Sequence, residues 1–179
     1  KDSEKIKDIL QQLKISNDES KNETENAENN NIKVYQTIQE AINNASPGQS
    51  IIVADGKYVE SIIIDKTVEI KALNIADKKD EKKVEIIAES GDCITLRANC
   101  GHLEGLKIVC DNPGNTFCTR ANTGHLELDN CHLVSQSAGC FRVDEEAKTT
   151  IKDSELFSTY SSASLMPQSH AVIMDCSFT

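Results

Sequence analysis

The chain has 179 residues, enough for one domain with a substantial core, and its 29 acidic against 19 basic side chains give a formal net charge of −10. That balance excludes a phosphate-tracking nucleic-acid face, which needs clustered Lys and Arg, and no apolar run approaches the ~20 residues of a membrane span. The seven cysteines, Cys93, Cys100, Cys110, Cys118, Cys131, Cys140 and Cys176, are odd in number and form no CxxC, which disfavours both a disulfide framework and structural zinc. They are expected to be free thiols filling small apolar sites in a reducing compartment, which favours an intracellular, cytoplasmic location.

In chain order, Lys1–Ser16 predicts a short helix, with Ile6, Ile9, Leu10 and Leu13 at i, i+3, i+4 and i+7 forming one apolar stripe. Residues Asn17–Asn31 hold a single Ala as their only hydrophobic residue and predict an acidic, Asn-rich disordered linker. From Ile32 onward the character changes. Tyr35–Ala45 predicts a second helix, opened by Thr37 and Glu40 as a capping box and stopped by Pro47-Gly48. Ile51–Val53, a turn at Asp55-Gly56, and alternation through Val59, Ile62, Ile64, Val68 and Ile70 then predict short β-branched strands, too close together for βαβ units.

An internal repeat decides the architecture. Segments beginning at Leu103 (LEGLKI), Leu128 (LDNCHL), Ile151 (IKDSEL) and Ile173 (IMDCSF) share one pattern, and their starts step by 25, 23 and 22 along the chain. A second match, at a step of 23, aligns Asn99–Glu104 with Asn122–Glu127, and a third aligns Cys93, Cys118 and Cys140. Such a period suits one coil of a β-solenoid with three strands and three turns. A leucine-rich repeat has a similar period, but its LxxLxLxxN motif is missing and nothing between the strands favours helix. The column Gly105, Asn130, Asp153, Asp175 holds residues that tolerate a left-handed bend, and the next column, Leu106, Cys131, Ser154, Cys176, is small or apolar and should point inward. The fold class expected is an all-β solenoid, a right-handed parallel β-helix over 32–179. Its N-terminal capping α-helix should cover the first open rung, and further coils or a partner are expected beyond Thr179.

The segment Tyr35–Leu73 resembles the opening coil of the pectin-lyase-like superfamily, with Thr37, Ile38, Ala41, Ile42, Pro47, Gly48, Gly56, Tyr58, Glu60 and Ile70 at matching positions. The resemblance implies fold more than function, because that fold hosts lyases, hydrolases, epimerases, tailspikes and adaptors. Within it, the free-thiol composition is most similar to the β-helices of certain F-box proteins and SHC-binding spindle proteins, which recognise other proteins.

Polysaccharide lyases of the fold use a calcium-binding carboxylate cluster and a basic residue, and calcium needs six to eight oxygens. Asp129, Asp153 and Asp175 are the best acidic candidates, but the last two belong to the bend column. Gly101-His102 and Gly124-His125 are each followed by Leu, which breaks the Gly-His-Gly of the hydrolases. His102 and His125 occupy equivalent places in the second match, so they are expected to stack as a surface ladder without a third metal ligand. Asp144-Glu145-Glu146 reads as a solvated turn. If Ile94, Leu96, Phe141 and Val143 face inward, alternation places Thr95, Arg120 and Arg142 outward on one face. Two stacked Arg could grip an acidic group, or be solvated charges paired with nearby Glu, and reversing both to Glu is expected to cost no more than about 0.5 kcal/mol.

The sequence therefore favours a non-catalytic recognition or scaffold module binding a protein partner in a larger intracellular assembly. Arg120, Arg142, His102 and His125 are its candidate partner-binding residues, with no catalytic set, no metal site and no cofactor. The alternative is a carbohydrate-active lyase or hydrolase whose active site lies in later coils, and a third reading is a structural or glycan-binding spike.

Overall fold

The computed structural model describes residues 33–74 and 83–179, so the helix expected at Lys1–Ser16 and the linker at Asn17–Asn31 lie outside the described residues. The described chain is one short helix, α1 (Ile38–Asn44), followed by 17 strands numbered in chain order. Strands β1 (Gln49–Val53), β4 (Val68–Ala72), β7 (Cys100–Glu104), β10 (His125–Asp129), β13 (Lys148–Lys152) and β16 (His170–Met174) form sheet A. Sheet B holds β2 (Gly56–Val59), β5 (Val84–Ile87), β8 (Lys107–Cys110), β11 (His132–Ser135), β14 (Glu155–Ser158) and β17 (Ser177–Phe178). Sheet C holds β3 (Ile62–Ile64), β6 (Ile94–Leu96), β9 (Phe117–Ala121), β12 (Gly139–Val143) and β15 (Ala163–Leu165). Each lap visits A, B and C in turn, every described pair is parallel, and β16 and β17 open a sixth lap.

Period-two alternation sends every second side chain into the space the three sheets enclose. Ile70, Leu103, Leu128 and Ile151 stack in register on sheet A, Ile86, Ile108, Leu133 and Leu156 on sheet B, and Ile64, Leu96, Ala121 and Val143 on sheet C. All twelve are buried, and each large member contributes about 1.5–3 kcal/mol relative to an exposed state. The bends follow the expected column, with positive φ at Gly105 (74°), Asn130 (48°), Asp153 (46°) and Asp175 (52°). Leu106, Cys131 and Ser154 follow it into the core, where the Ser154 hydroxyl accepts from the Cys131 amide at 2.9 Å.

The helix is shorter than the predicted Tyr35–Ala45, since residues 35–37 lead into it as extended and bent backbone. Thr37 Oγ1 accepts from the Glu40 amide at 3.1 Å, as a capping box requires, but the Glu40 carboxylate accepts from Gln36 rather than Thr37. Ile38, Ala41 and Ile42 are buried at the first lap, and Ile38 and Ile42 join the core there. At the other end Ile173 and Phe178 do not reach the burial expected of them and are 37% and 51% exposed. They carry the inward-facing pattern of earlier laps, but no described strand pairs with β16 or β17 on the far side.

Candidate functional site

Outward positions on sheet C bring Thr95, Arg120, Arg142 and Ser164 into one column, as alternation predicts. The Arg side chains are not solvated charges beside Glu. Asp144, just past the end of β12, takes one of them on each oxygen: Arg120 Nε donates to Oδ2 and Arg142 Nε donates to Oδ1, both at 2.8 Å. Asp92 closes the other side, 3.7 Å from Arg120 Nη1, while its Oδ1 accepts from the Phe117 amide at 2.8 Å. Arg142 also lies 5.9 Å over the Phe117 ring, a cation–π contact, and donates to Met166 Sδ at 3.2 Å. Asp144 is not part of a solvated turn with Glu145 and Glu146, since its side chain is only 18% exposed. Burial pushes its carboxyl up, but the Arg120 and Arg142 guanidiniums together hold it below the usual carboxylate range.

His102 and His125 do not stack. Leu103 pairs with Leu128 across β7 and β10, so His102 lies opposite Glu127 and His125 opposite Cys100. The match of Asn99 with Asn122 is thus slipped by two positions from the true pairing. Both imidazoles face the same carboxylate instead, with His102 Nδ1 3.8 Å and His125 Nδ1 3.6 Å from Glu127, and His125 Nε2 bonds Thr150 Oγ1 at 2.8 Å. These two His lie on sheet A and the two Arg on sheet C, so the four do not form a single footprint.

Sheet A also gathers a set that the sequence reading missed. Glu69, His102 and Glu104 bring possible ligand atoms within 4.8 Å of one another. The legible half was His102-x-Glu104, two outward positions of one strand, whereas Glu69 arrives from β4, the sheet A strand of the preceding lap. A cation already serves the two carboxylates, because Lys71 Nζ stands 2.8 Å from Glu69 and 3.2 Å from Glu104. The hydrogen bond from Lys71, with a second from Ser50, draws the Glu69 carboxyl below its ordinary value. Asp153 and Asp175 occupy the left-handed bends and Asp129 ends β10 on sheet A, and the group of possible metal ligands found among the described residues includes none of the three.

The thiol column is a packing feature. Cys93, Cys118 and Cys140 sit at the start of successive strands of sheet C, fully buried, and donate to the carbonyls of Val109 (3.0 Å), Val134 (3.2 Å) and Phe157 (3.2 Å). The hydrogen bond with Cys110 and burial push the Cys93 thiol up, and burial with Cys140 pushes Cys118 up, so both stay protonated donors. None of the seven cysteines is in a disulfide.

No family model and no curated protein matches the sequence. Among solved structures the chain is similar to a pectin methylesterase variant crystallised with a hexasaccharide, at a TM-score of 0.58 and 16% identity over 76% of this chain. The match spans 50% of that enzyme's length. No described helix is long and apolar enough to cross a membrane. Parallel strands joined around three sheets, the capping helix at the first lap and this likeness agree: the chain has the right-handed parallel β-helix fold of the pectin-lyase-like type.

Proposed function

We propose that this β-helix is a non-catalytic recognition module that presents flat, rigid side faces to a protein partner. The observation that carries this reading is that three outward carboxylates are held by cations. Both oxygens of Asp144 are occupied by guanidinium donors, and Glu69 and Glu104 share one ammonium. A general base or nucleophile works with a lone pair aimed at substrate, whereas each of these carboxylates is held by a cation, and Asp144, Glu69 and Glu104 tie one coil to the next. The competing reading, a carbohydrate-active enzyme, has the fold of the similar esterase in its favour, and a fold by itself carries many activities.

The test assays the purified chain on methyl-esterified and de-esterified polygalacturonate, following methanol release and chain cleavage with and without calcium. The expected result is no turnover. Turnover that disappears in Asp144→Asn would overturn the proposal in favour of the enzyme. In parallel, lysine crosslinking in cell extract should join sheet A residues such as Lys148 to one protein, competed away by excess purified chain. Binding to an oligosaccharide with no such crosslink would sink the protein-recognition reading.

A further inference from the structure

The outward side of sheet B carries two columns that none of the sites above uses. One is apolar: Val59, Ile87, Val109, Val134 and Phe157 lie in register on five consecutive rungs. Val59 is 52% and Phe157 39% exposed, and the three between are half-buried. The other is charged, two positions back along each strand: Lys57, Glu85, Lys107, His132 and Glu155. Within the chain, Lys107 pairs with Glu85 at 3.3 Å and His132 with Glu155 at 3.8 Å. Solvated strand faces usually alternate apolar-in and polar-out, so this apolar ladder on the outside is a surface that none of the described residues covers.

We propose that this face is a self-association surface, covered by a second copy of the chain with its solenoid axis reversed. A two-fold axis along the strand direction keeps each column facing its own kind while inverting the order of the rungs. The charged column is complementary to its own reverse at its two ends. Lys57 of one copy meets Glu155 of the other, Glu85 meets His132, and only the central Lys107 meets itself. The apolar column also matches its reverse, with Val59 against Phe157, Ile87 against Val134, and Val109 on the axis. Rotation about the solenoid axis instead would lay apolar column against charged column, or discard the charge pairing. Five rungs at ~4.8 Å and two columns ~7 Å apart span roughly 170 Å². That is well below the roughly 800 Å² per partner of a standard interface, so the dimer should be weak and concentration-dependent.

The experiment is sedimentation velocity on the full chain across a concentration series reaching hundreds of micromolar. The parent should shift towards dimer at the upper end, and Val109→Arg should stay monomeric with an unchanged melt. Lys57→Glu and Glu155→Lys should each weaken self-association at least ten-fold. Mixing these two variants should restore dimer, because each then finds its opposite across the two-fold. Lys57 and Glu155 lie four rungs apart, about 19 Å, beyond the ~8 Å screening length, so restoration cannot arise within one copy. A chain monomeric at every concentration, including one that instead captures a different protein through this face, overturns the proposal. So does a dimer indifferent to Val109→Arg, or a mixture that stays monomeric.

Discussion

Asp144 illustrates how one residue changes meaning when its neighbours arrive. Its carboxyl is depressed in the folded state, so its contribution to stability is fully present above the unfolded value of ~3.9 and is lost as pH falls through the lower folded value. Asp144→Asn should therefore cost about 1.5–3 kcal/mol at pH 7, the range of hydrogen bonds to charged groups, and less at pH 3, below the unfolded value. Denaturant melts of both proteins at the two pH values check this, and a pH-independent difference would contradict it. The expectation that reversing Arg120 and Arg142 to Glu costs almost nothing is replaced by its opposite. Two added carboxylates would crowd Asp144 and Asp92 with no cation between them, and the double variant should melt well below the parent. Gly124 is a second such residue. At φ +66° an added Cβ would stand 2.3 Å from the Ala98 carbonyl oxygen and 2.4 Å from that of Asn99, both backbone atoms that cannot swing aside. Gly124→Ala should cost at least about 2 kcal/mol, whereas Gly48→Ala, with a similar φ but open space around it, should cost only the left-handed penalty of about 1 kcal/mol.

At the scale of elements, the seven-residue helix α1 is too short to be stable by itself and draws on the first lap for its ends. The Glu60 carboxylate accepts from the amides of Ile38 at 2.8 Å and Gln39 at 2.9 Å, two of the donors a helix N-terminus leaves unpaired. Gln39 in turn holds β3 through the Ile63 amide and carbonyl. This gives physical content to the Gly56-x-Tyr58-x-Glu60 motif. The Tyr58 hydroxyl donates to the Ala54 carbonyl at 2.9 Å to fix the turn, and that turn delivers Glu60 to the helix. Glu60→Ala should destabilise the chain by about 1–2 kcal/mol and speed hydrogen exchange at Ile38 and Gln39 before any strand amide. Uniform exchange across helix and strands would contradict the assignment. The Thr37–Glu40 cap was legible because capping is local. The contact of Glu60 with Ile38 and Gln39 crosses two intervening strands and was visible only as part of a resemblance, with no role attached.

For the molecule as a whole, the order of residues is enough to dictate the solenoid, the length of its lap from Leu103 onward, the left-handed bends at Gly105, Asn130, Asp153 and Asp175, and which side chains face inward. Each of these follows from local rules. Alternation sorts the two faces of a strand, only certain residues turn a left-handed corner, and a repeat must recur for coils to stack. Three features came only with the assembled coils. The choice between two registers for β7 and β10 was one, since the repeat starting at Leu103 and Leu128 gave the true pairing while the Asn99–Asn122 match implied a slip by two positions, which keeps every side chain on its own face. The partners of the outward charges were another, because Arg120 and Arg142 could pair with any acid until the coils placed Asp92 and Asp144 beside them. The third was the exposure of Ile173 and Phe178, whose pattern matches the buried rungs before them. Facing is a property of one strand, whereas pairing and burial depend on what the neighbouring rung supplies, and that rung belongs to a different lap of the chain.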